Sequence, residues 1–344
     1  MPAKLRWIIG ILILISGLSA AGSWLFSQIF IRENAASEQT HQQLFSTSSI
    51  KTLTSQKGAI YSLAISPDGN TFVSGSGDNT VAQWDLKTGM LLRTFLLHSQ
   101  PVVAVAIAPD GRTLVSGSRD RTIGVWDLKT GQRLTTLPGG KGWVKAVAFG
   151  QNSDRIAAGN DDGSIAFWAL NPEKFLRNLP ANQDGIEAIA FSPDSSLLAS
   201  SGEDNTIKLW DPAGQLVRTL TGHKTHPEAI VFTPDGESLI GGDTKDLRQW
   251  NVRTGTVKQF FKSGSLSGLV RSLAVSPDGK WLASGHTDNT IRLWAIQTGE
   301  LLSTFAEHKD WVLSVALSPD GKTLISGGRD KTIKLWKLKP EETQ

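Results

Sequence analysis

The chain has no cysteine, one tyrosine and two methionines in 344 residues. Without cysteine there can be no disulfide, thiolate metal site or cysteine nucleophile. The redox compartment stays open, because a thiol-free protein tolerates either condition. A dominant charge is lacking too: 35 Lys and Arg face 32 Asp and Glu, for a net charge of +3. So small an excess argues against the basic stripe of a nucleic-acid-binding domain. No Gly-x-Ser-x-Gly elbow stands before a helical pattern, and Gly139-Gly140-Lys141-Gly142 lacks phosphate-loop spacing. What is abundant is Gly (34 residues) and Trp (12), with many Val, Ile and Thr, which favours strands joined by tight turns.

The N-terminus is a different material. Residues 7–31 read WIIGILILISGLSAAGSWLFSQIFI and carry no charge. At about 1.5 Å per residue such a helix spans a hydrocarbon core of about 30 Å. Lys4 and Arg6 precede it, Arg32 and Glu33 follow. The charge bias predicts a transmembrane anchor over 1–31, its N-terminus in the cytoplasm and the rest of the chain across the membrane, in a periplasm or lumen. A signal peptide cleaved near Ser19-Ala20-Ala21 would export the remainder as well, whereas a reversed anchor would leave it cytoplasmic. Residues 32–48 are polar and read as a linker, and 340–344 as a short tail.

Between them the chain repeats. Trp84, Trp126, Trp168, Trp210, Trp250, Trp294 and Trp336 recur every 40 to 44 residues. Pro-Asp-Gly turns recur in step at Pro67, Pro109, Pro234, Pro277 and Pro319, with Pro193-Asp194-Ser195 as a variant and Gly150-Gln151-Asn152 in the third unit. Each unit reads as four short strands. In the last, they are WVLSVALS, TLISGG and TIKLWKL, with the fourth strand type shown by LLSTFA at Leu301. Units this thin cannot bury their own faces and must stack. After Trp336 no outer strand follows, while SIKTLT (Ser49 to Thr54) precedes the first unit without an owner. It matches the outer-strand segments LLRTFL and QLVRTL, so it is expected to complete the last unit and close the ring.

Trp-Asp at Trp84-Asp85, Trp126-Asp127 and Trp210-Asp211, Gly222-His223, and an aspartate six residues before six of the seven tryptophans resemble the WD-repeat family. The resemblance implies an all-β, seven-bladed β-propeller over 49–339, four strands to a blade around a central channel. It further implies a hydrogen-bonded network of His, Ser or Thr, Asp and Trp inside a blade. Carried over, His98, Ser116, Asp120 and Trp126 form one complete set, and His308, Ser326, Asp330 and Trp336 another. Gln56, Gly140, Asn182 and Leu266 stand in the histidine position elsewhere, Ala158 replaces a serine, and weaker networks are expected there. The fifth unit, with Asp243 and Asp246 around its turn, should be irregular. A trio that recurs as a brick is not a hydrolase triad. His286 reads as a surface residue or a neighbour of such a network. Asn160-Asp161-Asp162-Gly163 reads as a solvated turn, since no bidentate Glu lies in register for calcium.

Function should lie in residues that vary while the frame repeats. The resemblance places the loops entering the inner strands and the turns before the tryptophan strands on one face. That face carries Trp143, Trp311, Arg119, Arg121, Arg329, Lys331, Asp161, Glu203, His226 and Thr287, and a basic arc is expected beside an acidic one. Trp and Arg are the side chains that dominate interface hot spots. The reading is a non-catalytic, membrane-tethered scaffold whose face binds proteins or peptides, with no cofactor, metal, nucleic acid or small-molecule substrate. The alternative is an enzyme using the channel mouth, where Asp161, Glu203 and Asp243 would be the available carboxylates but no partner base is apparent.

Overall fold

The computed structural model describes residues 49–182, 184–244, 246–261 and 268–338. The expected anchor (1–31), linker (32–48) and tail (340–344), and Leu266, lie outside them. Among the described residues no helix is long and apolar enough to cross a membrane.

Seven four-stranded antiparallel sheets follow one another along the chain. Blade one spans 60–96, two 102–138, three 144–180, four 186–220, five 229–260 and six 270–305. Blade seven takes three strands from 312–337 and its outermost strand from Lys51–Leu53. That strand pairs antiparallel with Ile333–Lys337, Lys51 opposite Leu335 and Leu53 opposite Ile333. The closing strand is thus where the sequence placed it, shorter by two residues at the start and one at the end. Ser49 adds a backbone N–H bond of 3.0 Å to the Glu307 carboxylate, and Lys334 Nζ reaches Thr52 Oγ1 at 3.1 Å.

The turns explain the register. In the first Pro-Asp-Gly turn, Asp68 accepts from the Ser66 hydroxyl at 2.5 Å and from the Asn70 N–H at 3.0 Å. Gly69 takes φ +70°, a conformation a Cβ would strain. The same bonds recur at Asp235 and Asp320.

Apolar cores lie between blades rather than within them. Val73, Val81 and Phe95 of blade one pack with Val102, Leu114 and Trp126 of blade two. Where the ring closes, Leu53 is buried with Ile60, Phe72 and Trp84 of blade one and Ile325, Ile333 and Leu335 of blade seven. Burying a leucine of this kind contributes about 1.5–3 kcal/mol.

Candidate protein-binding face

In five blades a serine on the neighbouring strand takes the indole N–H of the tryptophan. In blade two, His98 Nδ1 lies 2.9 Å from Asp120 Oδ2 and Nε2 lies 2.8 Å from Ser116 Oγ, which accepts from Trp126 Nε1 at 3.1 Å. Blade seven repeats this with His308, Asp330, Ser326 and Trp336 at 2.9, 2.8 and 2.9 Å. The serine accepts from indole and can still donate to Nε2, with Nδ1 facing the aspartate. Burial holds His98 below its ordinary value, against the pull of Asp120. Burial pushes Asp330 upward, but bonds from His308, the Lys309 N–H and Thr332 outweigh it and hold the carboxyl well below the usual range.

Networks expected to be weak are rebuilt with other groups. In blade one Ser74 donates to Gln56 Oε1 at 2.5 Å and Gln56 Nε2 donates to Thr80 at 3.2 Å. In blade four Ser200 donates to Asn182 Oδ1 at 3.0 Å and Asn182 Nδ2 donates to Asp204 at 3.1 Å. A carboxamide presents an acceptor on one side and a donor on the other, as neutral imidazole does. Of the two readings of His286, the network neighbour holds and the surface one does not: it is fully buried, its Nε2 2.7 Å from the Ser284 hydroxyl that takes the Trp294 indole at 2.7 Å. Burial, then the Arg292 cation, push His286 down to about 3. Asn160 likewise departs from the solvated-turn reading, being fully buried. In the irregular fifth blade Asp243 leaves the exposed face. It is buried, takes His223 Nδ1 at 2.9 Å, and accepts the Asp246 N–H at 2.7 Å.

The variable residues meet in pairs. The turn residue donates its backbone N–H to the residue that enters the inner strand in six blades: Gly77 to Ala59, Arg119 to Pro101, Asp161 to Trp143, Glu203 to Gly185, Thr287 to Leu269 and Arg329 to Trp311, at 2.8–3.3 Å. Two aromatic clasps result. Trp143 and Trp311 are 45% and 40% exposed, unusual for indole. Arg329 lies 4.8 Å over the Trp311 ring of its own blade. Arg119 lies 4.9 Å over Trp143 of the next blade and 5.5 Å over Tyr61 of the preceding one. Such stacking is worth about 0.5–1 kcal/mol at exposed sites and holds the guanidinium in place.

Arg121 and Lys331 sit exposed on the same turns. Asp161 stays exposed while accepting the Trp143 N–H at 2.7 Å; Gly142 permits this, because a Cβ there would meet the carboxylate. Thr287 likewise accepts the Leu269 N–H at 2.9 Å. Glu203 is half exposed and 3.9 Å from Lys145. His226 Nε2 lies 3.4 Å from Glu228.

A ring of groups at the channel mouth went unnoticed in the sequence. The second residue of the inner strand is an extra, bulged residue in six blades, so Ile60 pairs with Ser76 and Ser62 with Gly75, leaving Tyr61 out. The bulged positions, with their blade-five counterpart Glu228, are Tyr61, Val103, Lys145, Glu187, Arg271 and Leu313. Lys145 pairs with Glu187 and Arg271 with Glu228 across blade boundaries. Arg271 also senses Glu187, Tyr61 and Arg119 from non-adjacent blades, so these groups converge on the axis. Its guanidinium is held below its ordinary value by burial. The signal that could have found the ring is a position varying as Tyr, Val, Lys, Glu, Glu, Arg, Leu inside a repeating strand. The carboxylates weighed for catalysis do not gather here, since Asp243 is buried in blade five and Asp161 is bound to its own loop. Among the described residues no cluster of His, Asp and Glu has the makings of a metal site.

Comparison with known proteins agrees with this architecture. The family model described as "WD domain, G-beta repeat" matches seven times, at 47–85, 89–127, 131–169, 173–211, 214–251, 255–295 and 299–337. Nuclear distribution protein nudF of Emericella nidulans is 31% identical over 98 residues, 28% of this chain and 22% of that protein. U3 small nucleolar RNA-interacting protein 2 of Homo sapiens is 34% identical over 110 residues, 29% of this chain and 23% of that protein. Ribosome biogenesis protein ERB1 of Kluyveromyces lactis is 43% identical over 67 residues, 19% of this chain and 8% of that protein. The matches thus span less than a quarter of each of these relatives.

Proposed function

We propose, from the premise that this chain belongs to the WD-repeat family, that it is a non-catalytic scaffold whose clasped face binds a protein partner. The observation that carries the reading is the pair of exposed tryptophans, each lying under an arginine, on turns hydrogen-bonded to rigid sheets. An anchor side chain already held in place loses little entropy on binding. The named relatives include proteins of nuclear distribution and ribosome biogenesis and one that is RNA-interacting. For this chain the near-neutral balance, +3, and the carboxylates between its cations favour protein over nucleic acid. Co-purification from detergent with mass spectrometry tests the face. Trp311→Ala with Arg329→Glu should lose partners that the native chain retains; an unchanged partner set overturns the reading.

The uncharged run 7–31 supports a tether, with 32–48 as linker, the propeller at 49–339 and a tail at 340–344. The positive charges before it support an extracytoplasmic propeller. Biotinylating lysines from outside intact cells should label propeller residues such as Lys57 and Lys309. Labelling only after lysis reverses the topology, and recovery in the soluble fraction removes the tether.

A further inference from the structure

Two turns of the exposed face break a rule that the others keep. The second residue after the tryptophan-blade turn begins holds φ between +63° and +74° in five blades. Blades one, four and six place asparagine there (Asn79, Asn205, Asn289), the non-glycine residue that adopts this conformation most readily. Blades two and seven place Arg121 (φ +69°) and Lys331 (φ +65°). A long cation in the left-handed region costs about 1 kcal/mol relative to the easy choice. Strain kept at two positions, both cationic, asks for a reason.

The surroundings supply one. Arg121 follows Arg119, and Lys331 follows Arg329, so each strained cation stands beside a clasped arginine. Lys57, Lys141 and Lys309 are exposed on the adjoining loops. The turn carboxylates are already occupied: Asp78, Asp120 and Asp330 accept the N–H groups of Lys57, Ser99 and Lys309 at 2.7–3.0 Å. Among the described residues Arg121, Lys331 and Lys141 have no ion-pair partner, and Arg329 has only Asp310 at 3.8 Å, both well exposed. Blade one, between the two basic turns, carries the small residues Gly58, Ala59 and Gly77 at its own rim, beside Lys57, Asp78 and Asn79. The result is a low saddle flanked by two cationic clamps.

We infer that this saddle, over blades seven, one and two, takes an acidic segment of a protein partner, its carboxylates engaged by Arg119 with Arg121 and by Arg329 with Lys331. The inference rests on the proposed binding face and names the chemistry that face selects. Carboxylate side chains fit better than nucleic acid, because each exposed indole already has a guanidinium over one face, which closes that face to a stacked base.

Arg121→Asn with Lys331→Asn tests it. Asparagine is what three other blades carry, so the full-length protein should fold with an unfolding midpoint equal to or above wild type. The probe is a fluorescent oligoglutamate peptide of about ten residues, roughly 33 Å extended, read by anisotropy at low salt. Wild type should bind it, and the double variant should bind about tenfold more weakly, near 1.4 kcal/mol. Equal affinity in both proteins overturns the inference. So does tight binding of oligouridylate lost in the same variant, which would make the saddle a nucleic-acid site, or displacement of the peptide by millimolar inorganic phosphate, which would make it a phosphate site. If oligoglutamate fails to bind wild type while Trp311→Ala with Arg329→Glu still strips co-purifying proteins, the binding face stands and the acidic segment falls.

Discussion

Blades seven and three share a spacing and hold their tryptophans differently. In blade seven an unbroken line of bonds runs from Asp330 through His308 and Ser326 to Trp336. In blade three Gly140 and Ala158 replace the histidine and the serine, and Trp168 Nε1 is buried without a partner. Asn160 turns into the gap and donates to the Gly139 carbonyl at 3.0 Å, while its own Oδ1 goes unmatched. Yet both blades form full four-stranded sheets with their indoles buried. The difference teaches that packing between blades sets the fold, and that the polar line adds increments of about 1 kcal/mol per satisfied group.

The largest expected effect comes from breaking the complete line. Asp330→Ala strands His308 Nδ1–H and the Lys309 and Thr332 donors, and should destabilise by about 3 kcal/mol in chemical denaturation. Acid probes the sixth blade next. Folding holds His286 near 3 against an ordinary 6.5, so the unfolded chain binds the extra proton between those values. Stability is therefore full above pH 6.5 and declines as pH falls, by about 2 kcal/mol at pH 5. His286→Asn, the residue found at the matching Asn160, should flatten that slope in unfolding midpoints measured across the range. In blade two, His98→Ala should cost about 2 kcal/mol, whereas His98→Gln, the solution used by Gln56, should cost under about 1 kcal/mol. Equal losses would mean that imidazole itself is needed. The smallest effect is a gain: Ala158→Ser offers Trp168 its missing acceptor and should stabilise by about 1 kcal/mol, bringing blade three closer to blade seven.

Much of the frame was legible. The tryptophan spacing, the Pro-Asp-Gly turns and the ownerless SIKTLT segment mark the blades and their closure, because each rests on a turn geometry or a strand period that composition exposes. The clasping of Trp143 and Trp311 was half legible: the residues stood out, but stacking of Arg119 on the next blade's indole depends on how neighbouring sheets splay. The channel ring was hidden by the bulge after Ile60 and its equivalents, which inserts a residue with no glycine or proline to announce it. His286 was legible as a network neighbour, one of its two readings. It lies two residues beyond Ser284 on one strand, and side chains that far apart share a face.

The strand at Lys51–Leu53 is made by the ribosome before any blade and pairs with the strand made after all of them. Until then six complete sheets and a three-stranded seventh await closure, and the Thr52–Lys334 contact must close a loop of 282 residues. Completion is thus a late, long-range event, and until it happens the Ile333–Lys337 edge and the facing apolar surfaces of blades one and seven stay open to association with other chains.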